Sequence, residues 1–188
     1  MIKFDFSTIP NLETDRLLLR RIVSSDTQDW LNILSNDAVT RYLVDIEETN
    51  LAEIADIIQW TDAIITEKTG IRWAITLKPD DVLIGTCGFH AYNQHNQRAE
   101  IGYELSADYW RKGIMREAVS AVLDFLFNTL EVHRVEADVT VGNEGSSGLL
   151  KNLGFTHEGT WRDRVYARGQ FHSLWQFGLL KAEYLKNI

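Results

Sequence analysis

The hydrophobic period of this chain changes twice within about forty residues, and that change restricts the folds open to it. Between Glu100 and Leu105, Ile101, Tyr103 and Leu105 face one way and Glu100, Gly102 and Glu104 the other, which is the alternation of a β-strand. The spacing then lengthens. Ile114, Ala118, Val122, Phe125 and Leu126 make one helical stripe. Val135, Ala137, Val139 and Val141 return to period two. Strand, helix and strand in this order make a βαβ unit, whose two strands are expected to be parallel.

The rest of the chain supplies partners for that unit. Leu17-Leu18-Leu19 between Arg16 and Arg20 reads as a short buried strand. Ser24 or Ser25 then caps a helix running to about Ser35. Asn50-Leu51-Ala52-Glu53 has the spacing of a capping box. The helix it opens carries Ile54, Ile57, Ile58, Thr61, Ile64 and Ile65 on one stripe, and Gly70 suits its end. Arg72 to Leu77 and Val82 to His90 read as strands joined by a turn at Pro79-Asp80-Asp81. Gly85 and Gly88 point to a bulge or a close backbone approach. Asn93 to Gln97 is a polar hairpin loop. Ser146 to Leu153 is a short helix ended by Gly154, and Phe155 to about Trp161 and Phe171 to Leu180 supply two last strands.

Composition removes several classes of function. With 188 residues and no repeat or low-complexity linker, residues 1–188 are expected to form a single domain. Nineteen Lys and Arg against 27 Asp and Glu leave a charge of −8, which argues against nucleic acid or an anionic membrane as partner and fits a cationic one. Cys87 is the single cysteine, so neither an internal disulfide nor a cysteine zinc site is expected. No run approaches the ~20 apolar residues of a membrane span, and the stretch Met1 to Phe6 lacks the apolar region of a signal peptide. A reducing cytoplasm is the expected location.

One junction carries chemistry. In Leu105-Ser106-Ala107-Asp108-Tyr109-Trp110-Arg111-Lys112-Gly113-Ile114-Met115-Arg116 a strand ends, a loop holds two cations and a glycine, and a helix begins. No Ser, Thr, Asp or Asn stands immediately before Gly113 to cap the free N–H groups of the helix start. Gly113 allows close backbone approach, and Arg111, Lys112 and Arg116 add positive charge. The segment reads as a pyrophosphate cradle built from the N–H groups around Gly113, Ile114 and Met115; the plain alternative is an exposed loop with ordinary surface cations. It is neither a Walker A loop nor a GxGxxG fingerprint.

These residues resemble the GCN5-related N-acetyltransferase (GNAT) family, and more narrowly its bacterial members that acetylate ribosomal-protein N-termini. Four ordered segments carry the likeness, which spans about Leu12 to Tyr184. Glu13-Thr14-Asp15-Arg16-Leu17-Leu18-Leu19-Arg20 is similar to that group's opening strand. Leu34-Ser35-Asn36-Asp37-Ala38-Val39-Thr40-Arg41-Tyr42-Leu43 is similar to its first helix exit, and Ala99-Glu100-Ile101-Gly102-Tyr103-Glu104-Leu105 to its central strand. Asn143-Glu144-Gly145-Ser146 followed by Leu150, Leu153, Gly154 and Phe155 has the spacing of its N-x-x-S…L-x-x-L-G-F segment. The family's acetyl-CoA loop reads Q/R-x-x-G-x-G/A, whereas these slots hold Trp110, Gly113 and Met115. Only the middle glycine fits strictly, so the main-chain donors must do most of the binding.

The resemblance implies a mixed α/β fold with a central, mostly antiparallel sheet of about seven strands flanked by about four helices. It implies acetyl-CoA as cofactor and direct transfer of acetyl to a primary amine. Main-chain groups around Leu105 would pair with the pantetheine arm, and Asn143 would bond to it. Ser146 would protonate the departing thiolate; its other reading is a helix N-cap. Glu104 ranks first as the base that activates the amine, with His90 as a cleft-wall alternative and Glu100 beside it. His172 and Tyr166 lie at the turn into the last strand, Tyr166 as a further thiol acid. Cys87 reads as a small core residue. The expected acceptor is the N-terminal α-amine of a protein or peptide. The alternatives are a small amine (a polyamine, amino acid or aminoglycoside) and a non-catalytic acyl-CoA sensor. A final strand exposed at the sheet edge would permit a homodimer.

Overall fold

The computed structural model describes residues 4–44 and 50–186. In chain order the elements are β1 (Leu12–Glu13), β2 (Leu17–Arg21), α1 (Thr27–Leu34), α2 (Asp37–Thr40), α3 (Leu51–Thr66), β3 (Ile71–Leu77), β4 (Leu83–Asn93), β5 (Arg98–Leu105), α4 (Ile114–Asp124), β6 (Arg134–Thr140), α5 (Glu144–Asn152), β7 (Thr156–Ala167), β8 (Gln170–Leu180) and α6 (Lys181–Tyr184). All strands join one sheet in the order β1-β2-β3-β4-β5-β6-β8-β7.

The βαβ unit forms as its periods require, with β5 and β6 parallel and every other neighbouring pair antiparallel. Its helical stripe is buried: Ile114, Ala118, Val122, Phe125 and Leu126 lie in the main core beside Trp73, Phe89, Val135 and Val139. The last turn of α4 widens into π geometry over Phe125–Thr129 and buries Phe125, Leu126 and Phe127 together. On the other face of the sheet, α1 and α3 bring Trp30, Ile33, Leu34 and Ile54 against Ala74 and Leu83 as a second core.

The parallel contact is short. β5 and β6 pair only at Arg98–Arg134, Ala99–Val135 and Glu100–Glu136. Beyond that point β5 stays on β4 as far as Leu105, and β6 stays on β8 as far as Thr140. Each strand is tied to its own outer neighbour, so the sheet splits into a fork between Ile101–Leu105 and Ala137–Thr140.

Several expectations need correction. The described residues hold eight strands and six helices, because β1 has two residues and α2 and α6 four each, too few to show a period. Neither Ser24 nor Ser25 caps α1. Ser24–Asp26 forms a 3-10 turn, and the Asp26 carboxylate accepts the Val23 N–H (2.8 Å) while pairing with Arg20. The final strand β8 is not an edge. It lies between β6 and β7, and β7 is exposed at the sheet margin.

Gly85 and Gly88 mark close backbone approach, and Gly85 also borders an irregularity: the β3–β4 register shifts between Ile75 and Thr76, which pair with Gly85 and Leu83 and leave Ile84 between them; a second irregularity lies between His90 and Asn93. A Cβ on Gly88 would sit 2.2 Å from the Ile71 carbonyl oxygen and 2.6 Å from the Arg72 Cα, which are backbone atoms inside the sheet. Gly88→Ala is therefore expected to lower unfolding free energy in urea by about 1–3 kcal/mol. Gly148→Ala in α5 meets nothing within 4 Å and should stabilise by roughly 0.5–1 kcal/mol.

Candidate active site

The fork exposes main chain that the sheet does not use. Ser106 N–H donates to Ile84 O (2.9 Å), and at the two-residue step of an antiparallel ladder Glu104, Gly102 and Glu100 also face β4. The Ile101 N–H closes the last parallel pair, Glu100–Glu136, and beyond it the Ile101 C=O and the N–H and C=O groups of Tyr103 and Leu105 face the gap left by β6. One of them is already engaged, because Trp110 Nε1–H donates to Leu105 O (2.8 Å). Trp110 thus fastens the loop back onto the end of β5 instead of presenting a polar group to a ligand.

Past Trp110 the loop turns through two left-handed residues, Arg111 (φ 58°) and Gly113 (φ 75°). Gly113 is the N-cap of α4 and supplies no side-chain cap, so the first N–H groups of the helix stay open. Arg111, Lys112 and Arg116 are exposed around them, Ile114 is buried and Met115 packs on the core. The bulk of Met115 thus points inward and leaves its N–H available. Glu117 puts a carboxylate into the same first turn, where it would repel an anion. Burial pushes its pKa up, but the Thr14 hydroxyl and the backbone and guanidinium of Arg16 outweigh that and hold it below the ordinary range. Arg16 Nη2 lies 2.6 Å from Glu117 Oε2, and Arg16 Nη1 also donates to Lys112 O (3.0 Å). The helix end is thereby left with a net positive seat fitted to a pyrophosphate.

Across the fork, Tyr103 Oη and Ser146 Oγ are 2.8 Å apart, a brace from β5 to the first turn of α5. Ser146 is not the N-cap. Asn143 is, its Oδ1 accepting the Ser146 N–H (3.1 Å), which leaves the Ser146 hydroxyl to Tyr103. Burial pushes the Tyr103 pKa up, the Ser146 contact works against it, and neighbouring Cys87 adds a small push. The phenol keeps its proton at neutral pH.

Glu104 lies on the opposite face, under α1. Its Oε1 accepts from Trp30 Nε1 (2.9 Å) and from the Thr86 hydroxyl, and its Oε2 pairs with Arg72. Arg72 Nε in turn donates to Thr86 Oγ1 (2.7 Å). Both carboxylate oxygens are thus already engaged, although Glu104 does stand late on β5 beside the fork. His90 is partly exposed, edge-on to Trp60 (6.4 Å between ring centroids), with Nε2 3.6 Å from Glu100 Oε1. His172 Nε2 lies 3.1 Å from Ala167 O within its own hairpin. Tyr166 is 62% exposed and stacks edge-on against Phe171 near the hairpin tip.

A family model for the acetyltransferase (GNAT) domain matches residues 16–156. The chain belongs to the GNAT acetyltransferase family. It is 42% identical over 160 residues to the uncharacterized N-acetyltransferase YoaA of Bacillus subtilis, covering 85% of this chain and 90% of that one. Among solved structures it superposes on RimL, a ribosomal alpha-N-protein acetyltransferase, in complex with coenzyme A (TM-score 0.79, 19% identity, 91% of this chain and 98% of that one). It superposes equally on the spermidine N-acetyltransferase of Vibrio cholerae in complex with CoA and spermine (TM-score 0.79, 21% identity, 92% and 99%). This GNAT chain is an acyltransferase, and acetyl-CoA is its acyl donor.

The residues present fit that donor. The open α4 N-terminus and its cations suit the diphosphate, and the Ile101 C=O and the Tyr103 main chain suit an amide-bearing arm. An arm laid along that main chain would bring its thioester end into the fork near Ser146. The family likeness had singled out Glu104, Ser146 and the loop; it missed the Trp110–Leu105 bond, the Tyr103–Ser146 brace and the Arg16–Glu117 neutralisation. Each joins residues distant in sequence or depends on a side-chain direction.

Two measurements check this description. Cys87 is fully buried and its pKa is pushed up to about 12, chiefly by burial. It is expected to resist thiol reagents at pH 7.5 in the folded protein and to react fully in guanidinium. Gly113→Asp keeps a residue type tolerant of positive φ but sets a carboxylate on the anion seat. It should weaken acetyl-CoA binding by about 10-fold or more in calorimetric titration, with little change in melting temperature.

Proposed function

We propose that the enzyme acetylates the N-terminal α-amine of a protein or peptide by direct transfer, with donor and acceptor bound together. The observation that carries this reading is the acidic face beside the fork. Glu100, Glu136 and Asp138 stand on that face and all are half-exposed. The α2 end approaches it through Thr140 Oγ1 to Tyr42 O (2.8 Å) and Arg168 Nη2 to Thr40 O (3.1 Å). A row of part-exposed carboxylates suits a cationic amine; a peptide acceptor calls for an open groove there, and a small polyamine for an enclosed acidic pocket. RimL, of the same fold, is named for alpha-N-protein acetylation. The acidic face and the fold shared with spermidine N-acetyltransferase also support a second reading, a small-amine acceptor.

In this mechanism the protein works mainly by placement. The N–H groups following Gly113, with Arg111, Lys112 and Arg116, hold the diphosphate. Ile101, Tyr103 and the Leu105 N–H align the arm, and Asn143 stands beside it at the start of α5. Bound acetyl-CoA supplies the activated acyl group. The Ser146 hydroxyl, hydrogen-bonded to Tyr103, gives a proton to the departing sulfur. Glu104 keeps its donors and fixes Arg72 and Trp30, stiffening β5 against α1. His90 and Glu100 form the acceptor wall.

A thiol-release assay with acetyl-CoA tests the reading against ribosomal-protein N-terminal peptides, polyamines, amino acids and aminoglycosides. Turnover is expected on peptides; turnover restricted to polyamines would establish the second reading, and acetyl-CoA binding without turnover on any amine would make the chain a sensor. Ser146→Ala should lower kcat by about 10²-fold with the KM for acetyl-CoA nearly unchanged.

A further inference from the structure

We infer that Asp138 takes the proton from the acceptor amine. The inference rests on the amine-acetylation reading and adds to it a residue that the sequence motifs do not single out.

Position is the first argument. Glu100–Glu136 is the last pair joining β5 to β6. Asp138 is the next residue of β6 to project from the acceptor face, while Ala137 and Val139 on either side are buried in the main core. It therefore stands one strand step past the point where the fork opens, beside the gap that receives the thioester.

The second argument is how the carboxylate is held. Asp138 is half-buried, and its register partner Gln176 donates from Nε2 to Oδ1 (2.5 Å). Among the described residues nothing bonds to Oδ2. The other carboxylates of the face are placed differently. Glu104 has both oxygens engaged, Glu136 gives one oxygen to Arg98 (2.5 Å) and the other to Arg134 (2.8 Å), and Glu100 sits within the paired region next to His90. Asp138 alone of the four combines a fixed orientation, an unclaimed oxygen and a place beyond the last strand pair.

The surroundings raise its proton affinity. Burial is the main cause, and Glu100 on β5 adds to it. The Gln176 amide on β8 works the other way, Glu136 on the same strand pushes up again, and Arg164, set out of register by the irregularity of β7 between Trp161 and Val165, pulls down. The net displacement is upward, as a proton acceptor requires.

The step balances as follows. The amine arrives as an ammonium, and Asp138 takes one proton to leave a neutral nitrogen. That nitrogen forms a bond to the thioester carbon as the carbon–sulfur bond breaks. The sulfur gains a proton from Ser146, the remaining excess proton on nitrogen passes through water to restore the Ser146 hydroxyl, and Asp138 returns its own proton to water.

The test uses the full chain, an alanine-initiated peptide and spermidine as acceptors, and the variants Asp138→Asn and Glu100→Gln. Wild-type kcat/KM should fall as pH drops through the Asp138 pKa. Asp138→Asn should lower kcat/KM by about 10²–10³-fold at pH 7. The defect should shrink above the pKa of the acceptor amine, where the nitrogen is already neutral. The variant should bind acetyl-CoA as wild type does and melt no lower, because a carboxylate with a raised folded-state pKa destabilises the fold at neutral pH. In the protein without ligand, the Asp138 carboxyl carbon should titrate above the ordinary aspartate value by NMR. A pH-independent loss, a loss accompanied by a lowered melting temperature, or a defect found in Glu100→Gln and absent from Asp138→Asn overturns the inference. Silence of the wild type on both acceptors with acetyl-CoA still bound overturns the amine-acetylation reading itself, and the inference with it.

Discussion

Everything at the site depends on a competition for hydrogen bonds along β5 and β6. The two strands are parallel neighbours for three residue pairs. Each is also held by an antiparallel partner, β4 or β8, along most of its length. Strand twist accumulates across a sheet, and here the parallel contact gives way while the antiparallel ones persist. The result is a gap inside the sheet, with main-chain donors and acceptors facing it from a rigid wall. Unpaired groups at such a place are costly when buried, and an amide-bearing arm laid in the gap would satisfy them. The gap is kept in shape by Tyr103 and Ser146, which bridge it by hydroxyl contact, and by Trp110, which closes the β5 end.

Charge is sorted around the gap. At one end, the open turn of α4 gathers Arg111, Lys112 and Arg116, and Arg16 cancels the one carboxylate that would oppose them. On the sheet face that also carries Glu104 stand Glu100, Glu136 and Asp138. A chain of net charge −8 thus sets a local cationic seat at one end of the gap and a group of carboxylates on the sheet face beside it. Arginines keep the acidic side from being uniformly repulsive, since Glu136 and Glu158 are both paired with Arg134.

The Glu104 network illustrates what motif spacing could and could not reach. The position of Glu104 late on the central strand was legible from period two. Its environment was not, because Trp30 and Arg72 come from α1 and β3, 74 and 32 residues away. The carboxylate ranked first as the base is part of a buried ion-paired group. Asp138 shows the converse. In sequence it is one polar residue in an alternating strand, and only the register with Gln176 and the end of the β5–β6 pairing mark it out. Short elements escaped for a different reason, since two or four residues of β1, α2 and α6 carry no measurable period.

Local chemistry along the chain determined the βαβ unit, the buried stripe of its helix, the parallel pairing of its strands and the cationic loop around Gly113. These follow from side-chain periodicity and from backbone freedom at one glycine, both properties of contiguous residues. Tertiary structure decided where the parallel strands part, which hydroxyl faces the gap, which carboxylate is engaged and which keeps an open oxygen, and that β8 lies inside the sheet while β7 forms its margin. Those outcomes depend on contacts between residues tens of positions apart, whose energies are comparable to those of the alternatives until the whole sheet is assembled.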